Sequence, residues 1–205
     1  MAAPVRLVLL RHGQTALSVE RRYSGRGNPE LTELGVAQAQ GAADRIAAES
    51  EVAAIITSPL RRTRQTADAV SARIGVPVTE DPGFIETDFG GWEGLTFSEA
   101  KARDPQVHTQ WLADPSVPTP DGESFDQVAQ RVIAAKERVV ADYAGKTVVV
   151  VSHVTPIKSL LRHALDVGPQ LLFRLHLDLA SVSVTEFYPD GGAVVRSVNE
   201  TAHLR

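Results

Sequence analysis

Three stretches of the chain share one pattern, a short run of consecutive apolar residues followed by a segment with helical periodicity. Strands that are apolar at every position are typical of a parallel sheet covered by helices on both faces. The pattern therefore predicts an α/β fold: a three-layer sandwich whose central sheet is mostly parallel. The pairs of strand and helix are 5–10 with 32–49, 52–57 with 59–74, and 147–152 with 156–165.

Two of these helices have a predicted start. In each, a hydroxyl residue that can act as N-cap stands before a proline, which is tolerated at the first helical position because its missing N–H has no partner there. The pairs are Ser58–Pro59 and Thr155–Pro156.

Further local signals extend the picture. Ser124 and Gln127 have the spacing of a capping box, which predicts a long helix running to about Tyr143 before Gly145 ends it. Near the end of the chain, residues 182–188 and 193–198 alternate around a Pro-Asp-Gly-Gly sequence. This arrangement predicts an antiparallel hairpin at the edge of the sheet.

Residues 81–120 are rich in glycine, proline and aromatic residues, with two predicted short helices at 96–103 and 105–113. Such a stretch within a compact domain is usually a lid or a capping segment. We expect a single domain over 1–205 that carries this capping segment, with Trp92 and Trp111 in its core.

Composition narrows the possible chemistry. The chain of 205 residues has no cysteine, which excludes disulfides, zinc-thiolate sites and a cysteine nucleophile. The net charge of −4 argues against nucleic acid as a partner. The longest apolar runs are far shorter than a membrane span, so we expect a cytoplasmic protein with no membrane partner. Arginine makes up 17 of the 21 basic residues, mainly as a whole-chain bias, and it is the residue suited to bidentate capture of phosphate.

Cationic or titratable side chains follow each of the three predicted strands. Ligands of open parallel sheets bind outside the carboxyl ends of the strands, so these groups should converge on one anion, for which phosphate fits best. Of the arginines after the second strand, Arg62 is expected to point inward and Arg61 and Arg64 into solvent. The groups are Arg11 and His12, Arg61 and Arg62, and His153.

This set predicts phosphoryl transfer through histidine. One neutral imidazole can attack phosphorus while arginines hold the oxygens, and a carboxylic acid protonates the leaving group and then deprotonates water. Glu86 is the leading candidate for the acid, with Asp88 and Glu93 as competitors. The remaining histidines, which lack such settings, are expected at the surface or in packing: His108, His163, His176 and His203.

Five blocks resemble the histidine phosphatase superfamily, also called the phosphoglycerate-mutase-like family, in the right order and over nearly the whole chain. The first is similar to its RHG signature, the second to its LTxxGxxQA segment, the third to its second phosphate-binding block, the fourth to its E..FG.WEG block and the last to its SH block. They lie at 9–15, 28–40, 58–67, 86–94 and 150–153.

The resemblance implies that His12 is the phosphorylated nucleophile, that Glu86 is the acid and base, and that no metal or cofactor is required. It further implies that Arg11, Arg62 and His153 bind the phosphoryl group. Ser18 departs from the family, which often has asparagine there, so a phosphate contact from this position is in question. Other expected substrate contacts are Gln14, Thr15, Ser24 and Gly25.

Within the superfamily, the fourth block and the compact length resemble α-ribazole phosphatases and broad acid phosphatases. Residues 22–29, 86–96 and 176–181 are similar to the phosphatase half of two-domain ribonuclease H/acid phosphatase proteins, which implies that this chain is that half alone. The resemblance thus predicts a metal-independent acid phosphomonoesterase for a small phosphorylated metabolite. Trp92, Phe97 and Trp111 suit the flat base of α-ribazole 5′-phosphate, an intermediate of cobalamin biosynthesis, or else simply pack.

Two alternatives use the same residues. A 2,3-bisphosphoglycerate-dependent phosphoglycerate mutase would return the phosphoryl group from the same histidine to its substrate. A phosphoester-binding module would keep the pocket without turnover. The need for a bisphosphoglycerate primer distinguishes the first, and phosphate binding without catalysis distinguishes the second.

Overall fold

The computed structural model describes residues 3–49 and 51–205. Its sheet has the order β3-β2-β4-β1-β5-β6, in which β1 to β4 pair in parallel while β5 and β6 form an antiparallel hairpin at one edge. This topology confirms the predicted α/β fold. The strands are β1 (Val5–Arg11), β2 (Val52–Thr57), β3 (Val78–Glu80), β4 (Thr147–Ser152), β5 (Val182–Phe187) and β6 (Ala193–Glu200).

Helices cover both faces of the sheet. Successive side chains of a strand point to opposite faces, so a strand buried on both sides must be apolar throughout. In β1, Leu7 and Leu9 pack into the core with α6 (Phe125–Asp142) and α7 (Val154–Leu165). Val8 and Leu10 pack into the core with α2 (Glu33–Ala47) and α3 (Arg61–Ile74). The helices are α1 (Ala16–Val19), α2 (Glu33–Ala47), α3 (Arg61–Ile74), α4 (Phe97–Arg103), α5 (Pro105–Ala113), α6 (Phe125–Asp142), α7 (Val154–Leu165) and α8 (Leu171–Arg174).

A third, aromatic cluster lies in the capping segment. Trp92 and Trp111 are both buried there and meet edge to face, with ring centroids 5.5 Å apart. Phe125 at the start of α6 joins the cluster and thereby connects the segment to the main body. Packing of the two tryptophans in a core matches the prediction.

The predicted start of the helix after β2 is wrong by two residues. Its first helical residue is Arg61, and the side chain of the N-cap residue Leu60 makes no capping hydrogen bond. The Ser58 hydroxyl instead lies 2.8 Å from the His153 Nε2 atom, and Asn28 Oδ1 accepts the bond from the Arg61 N–H at 2.6 Å. A side chain distant in sequence therefore takes the place of the local cap.

The helix after β4 starts earlier than predicted. It begins at Val154, with His153 as its extended N-cap residue, so Pro156 is the third helical residue and Thr155 is no cap. A proline is tolerated there because the first N–H groups of a helix have no partner within it. The helix predicted over 32–49 ends sooner, at Ala47. Thr32 is its N-cap residue, and the Thr32 side chain accepts a hydrogen bond from Gly35 N.

Other predicted elements are close to those observed. Ser124 and Gln127 form the capping box of α6, and the two short helices of the capping segment lie at α4 and α5. Strand β3 and helices α1 and α8 were not predicted, because three or four residues are too few to show a period. Within 3–49 and 51–205, no helix combines the length and apolarity that crossing a membrane requires.

Candidate active site

The register between β1 and β4 brings two histidines together. The strands pair in parallel with Arg11 opposite Ser152, so the next residue of each strand is a histidine at the same end of the sheet. The His12 N–H donates to the Ser152 carbonyl at 3.1 Å, and the rings of His12 and His153 lie edge to face with centroids 5.2 Å apart. Both rings are buried.

A backbone contact fixes the tautomer of His12. Its Nδ1 atom lies 2.8 Å from the Gly13 carbonyl oxygen, which can only accept a hydrogen bond. Nδ1 therefore carries the proton of the neutral ring, and the lone pair of Nε2 remains for attack on an electrophile. His12 is also among the side chains that line a cavity of about 660 Å³.

Burial keeps both imidazoles neutral. It is the main cause that lowers the pKa of His12 and of His153 well below 6.5, and the positive charges of Arg62 and Arg11 lower both further. A neutral imidazole is the form that can act as nucleophile.

Arg11 and Arg62 bring positive charge to this site. In the described part of the chain, neither arginine forms a salt bridge with a carboxylate. Arg11 donates from Nη1 to the Leu177 carbonyl at 2.5 Å. Burial lowers the pKa of Arg11 and of Arg62 to about 10, so both stay charged at neutral pH. Their charges are thus available to an anion.

Arg62 is fully buried, whereas the side chains of Arg61 and Arg64 are 58% and 42% exposed, which agrees with the expectation that Arg62 points inward. Its guanidinium donates to the carbonyls of Ser24, Gly25 and Gly27 at 2.8–3.0 Å. These acceptors are neutral, so they hold the group in place without cancelling its charge.

Glu93 organises the loop that holds Arg62. Its carboxylate accepts from the backbone N–H groups of Gly25 and Arg26 at 3.1 and 2.7 Å. A Cβ at position 25 would lie 2.0 Å from the Thr87 carbonyl oxygen, so only glycine fits where this loop meets the segment after Glu86. Glu93 therefore stabilises this loop and does not line the cavity.

Three buried polar atoms around the two rings have no hydrogen-bond partner among the described residues: Arg11 Nε, Arg62 Nε and His153 Nδ1. Buried polar groups are nearly always paired, so a cluster of unpaired nitrogens needs a specific explanation. The two guanidinium nitrogens are donors, which suits the oxygens of a phosphate.

Glu86 is the carboxylate of the cavity lining that lies beside these groups. It is buried, its Oε1 accepts from Thr87 N at 2.8 Å, and its Oε2 lies 3.5 Å from Thr155 N at the start of α7. Its competitors are used elsewhere, since Asp88 accepts from Gly90 N and lies 3.5 Å from Arg26.

The other predicted contacts divide into two groups. Thr15, Ser18 and Ser24 line the cavity, whereas Gln14 and Gly25 do not. Gln14 binds Gln38 and Thr32 instead. The Ser18 hydroxyl accepts from the Thr15 N–H at 2.9 Å and donates to the Thr15 carbonyl at 2.7 Å, as part of the capping box at the start of helix α1.

Several lining residues were missed by sequence reasoning. His176 is exposed at the surface, as expected, but it also belongs to the cavity lining, 3.2 Å from Asp178, which was not predicted. Asp178 is held in turn by Asn199. Helical or strand periodicity gives no signal here, although the resemblance of residues 176–181 to known phosphatases marked the segment. The remaining missed lining residues are Arg21, Arg22, Tyr23, Phe89, Val154, Thr155 and Leu179.

Comparison with known proteins identifies the family of the chain. The family model of the histidine phosphatase superfamily (branch 1) matches residues 7–200, and the chain therefore belongs to that superfamily.

Individual relatives point to phosphatases. Phosphoserine phosphatase 1 of Hydrogenobacter thermophilus is 32% identical over 201 residues, which cover 98% of this chain and 94% of the relative. A solved Escherichia coli structure described as a candidate α-ribazole-5′-P phosphatase superposes with a TM-score of 0.85 at 26% identity, covering 96% of both chains. The superfamily and these neighbours support a phosphatase enzyme.

A longer relative shares more of the sequence. A bifunctional protein of Mycobacterium tuberculosis is 55% identical over 201 residues, which are 98% of this chain and 55% of the relative. The chain thus spans about half the length of the curated relatives that it matches at this identity.

The lowered histidine pKa values predict a pH-dependent stability. The unfolded chain takes up protons below pH 6.5 that the folded His12 and His153 do not, so stability is present above this pH and is lost as the pH falls. At about pH 5.5 each of the two histidines lowers the free energy of unfolding by up to about 1.4 kcal/mol. We expect the free energy of unfolding, measured in urea, to fall between about pH 7.5 and about pH 5.5 in both wild type and His153→Gln. In the variant this fall should be smaller than in wild type by about 1.4 kcal/mol. Equal losses in both proteins would contradict the lowered pKa.

Proposed function

We propose that this protein is a metal-independent acid phosphomonoesterase that works through a phosphohistidine on Nε2 of His12. The observation that carries the proposal is the fixed tautomer of His12, whose Nδ1 faces the Gly13 carbonyl while its ring lines the cavity. Around it lie the half-buried Arg11 and the buried Arg62, and among the described residues neither forms a salt bridge with a carboxylate, which is the environment that a phosphate dianion needs.

The reaction proceeds in two transfers. In the first, a bond forms between His12 Nε2 and phosphorus, the ester P–O bond breaks, and Glu86 gives its proton to the leaving oxygen. In the second, a water oxygen bonds to phosphorus, the N–P bond breaks, and Glu86 takes the proton from water. The products are an alcohol and inorganic phosphate, and the enzyme returns to its starting state.

Arg11, Arg62 and His153 stabilise the phosphoryl group during both transfers. The unpaired Nε–H groups of the arginines can donate to its oxygens. Their charges also favour the neutral form of His12, because a further proton would add a like charge beside them. We infer an acidic pH optimum, since Glu86 has to carry a proton before it can protonate the leaving group.

For the substrate we propose α-ribazole 5′-phosphate or a similar phosphate ester with a flat base, which would place the enzyme in cobalamin biosynthesis. The cavity wall includes Tyr23 and Phe89, whose rings pack against each other with centroids 4.7 Å apart. Aromatic faces of this kind favour stacking with a flat ring. The likeness to the Escherichia coli protein described as a candidate α-ribazole-5′-P phosphatase also supports this choice.

We further propose that the parent protein carries a ribonuclease H domain and acts in the cytoplasm, with residues 1–205 as its phosphatase domain. The length of the bifunctional mycobacterial relative supports a second domain. The small phosphorylated metabolite, rather than nucleic acid, is the partner proposed for the domain described here.

Loss of the nucleophile should abolish turnover. His12→Ala is expected to lower kcat/KM for 4-nitrophenyl phosphate by at least about a thousandfold, because no other neutral imidazole in the cavity has the same fixed tautomer. The wild type should keep its activity in excess chelator and without a bisphosphoglycerate primer. His163→Ala, which alters a histidine outside the cavity lining, is the matched control. Full activity of His12→Ala, or loss of wild-type activity in chelator, would contradict the mechanism.

Substrate preference tests the aromatic wall. We expect kcat/KM for α-ribazole 5′-phosphate to exceed that for phosphoserine and 3-phosphoglycerate by at least about tenfold, since stacking on an aromatic face is worth about 1–3 kcal/mol. Phe89→Ala should reduce this preference while leaving activity on phosphoserine nearly unchanged. Equal activity on all three compounds would exclude a base-recognising phosphatase.

A further inference from the structure

The segment that carries Glu86 is held through its backbone carbonyls. Each of the four carbonyl oxygens of residues 83–86 accepts a hydrogen bond from a side chain of another element. Ser152 Oγ donates to the Phe84 carbonyl at 2.7 Å. Arg131 donates to the other three, those of Gly83, Ile85 and Glu86, at 3.0, 2.6 and 2.9 Å.

Arg131 lies on α6, outside every block that carries the family resemblance. A guanidinium has five N–H donors in a fixed plane, and here all five are used. Three bind the carbonyls of residues 83, 85 and 86, and two bind the carboxylate oxygens of Glu123 at 3.0 Å each. The carbonyl groups and the Glu123 carboxylate together fix the orientation of the guanidinium plane of Arg131.

Glu123 links this arginine to the rest of the site. Its Oε2 also accepts from the Asp88 N–H at 2.9 Å, two residues beyond Glu86, and from Arg26 Nη2 at 3.1 Å. The pair of Arg131 and Glu123 thus fixes the backbone on both sides of Glu86. The charged neighbours lower the pKa of Glu123, consistent with an ionised, hydrogen-bonded carboxylate.

The segment of residues 83–86 packs closely against α6. A Cβ at position 83 would lie 2.6 Å from the Cβ of Ala135, so glycine is required for this approach. The reach of Arg131 depends on that short separation.

We propose that Arg131 is a positioning residue that sets the carboxyl group of Glu86 for proton transfer to the leaving oxygen. The inference rests on the acid role proposed for Glu86. A carboxyl group displaced by about 1 Å protonates a leaving oxygen poorly, which can cost up to about a hundredfold in rate. The cost falls on substrates that need the proton, while aryl phosphates with stable leaving anions are little affected.

The test is the ratio of kcat/KM for 4-nitrophenyl phosphate to kcat/KM for a simple alkyl phosphate. Arg131→Lys keeps the charge but loses the planar donor set. We expect this variant to raise the ratio by about 10- to 100-fold relative to wild type. Arg138→Ala is the matched control on the same helix, since its exposed guanidinium binds the Asp81 side chain and none of these carbonyls. It should leave the ratio unchanged.

The ratio separates positioning from stability. A variant that only unfolds part of the population lowers both kcat/KM values equally and leaves their ratio at the wild-type value. Should Arg131→Lys fail to fold, Glu123→Gln, which weakens the hold on the guanidinium, is expected to shift the ratio in the same direction. A wild-type ratio in a folded Arg131→Lys or Glu123→Gln protein would overturn the proposal.

Glu86→Gln tests the underlying acid role separately. We expect it to raise the ratio at least as far as Arg131→Lys does, and Arg131→Lys added to Glu86→Gln should raise it no further. A wild-type ratio in Glu86→Gln would refute the acid role itself. A raised ratio in Glu86→Gln together with a wild-type ratio in Arg131→Lys would refute only the positioning role.

Discussion

The pairing of β1 with β4 is the constraint on which the site depends. Their parallel register places Arg11 opposite Ser152, and the chain then delivers His12 and His153 side by side. A slip by one residue would exchange the two faces of a strand. Leu7 and Leu9 would then have to enter the core now filled by Val8 and Leu10 with α2 and α3. Packing on both faces of the sheet thereby enforces the relative position of the two histidines.

Among the described residues, neutral carbonyl groups rather than salt bridges hold the two arginines of the site. Arg62 is held by neutral carbonyls, and its loop is fixed in turn by the carboxylate of Glu93 through backbone N–H groups. Glu93 thus stabilises the loop without contacting the guanidinium. The result is a positively charged region beside a neutral imidazole, which is the environment required by the proposed small phosphorylated substrate.

Much of the fold could be predicted because it depends on local patterns. Apolar runs identified the long strands, and Arg62 was expected to point inward, although helical phase alone did not distinguish it from Arg61 and Arg64. Contacts between distant segments could not be found in this way. Asn28 replaces the predicted cap of α3, and Arg131 binds carbonyls more than 40 residues before it in the chain. His176 reaches the cavity from a segment without a regular period. Such contacts depend on tertiary packing, which periodicity does not encode.

The central claim is that the phosphoryl group passes through His12. It is tested most directly by mixing the enzyme with substrate, quenching within a single turnover in alkaline denaturant, where phosphohistidine survives, and mapping the modified peptide by mass spectrometry. The account predicts a phosphorylated peptide containing His12, with the phosphoryl group on the Nε2 atom. Phosphate on another residue, or a complete turnover with no phosphorylated peptide at any quench time, would contradict it.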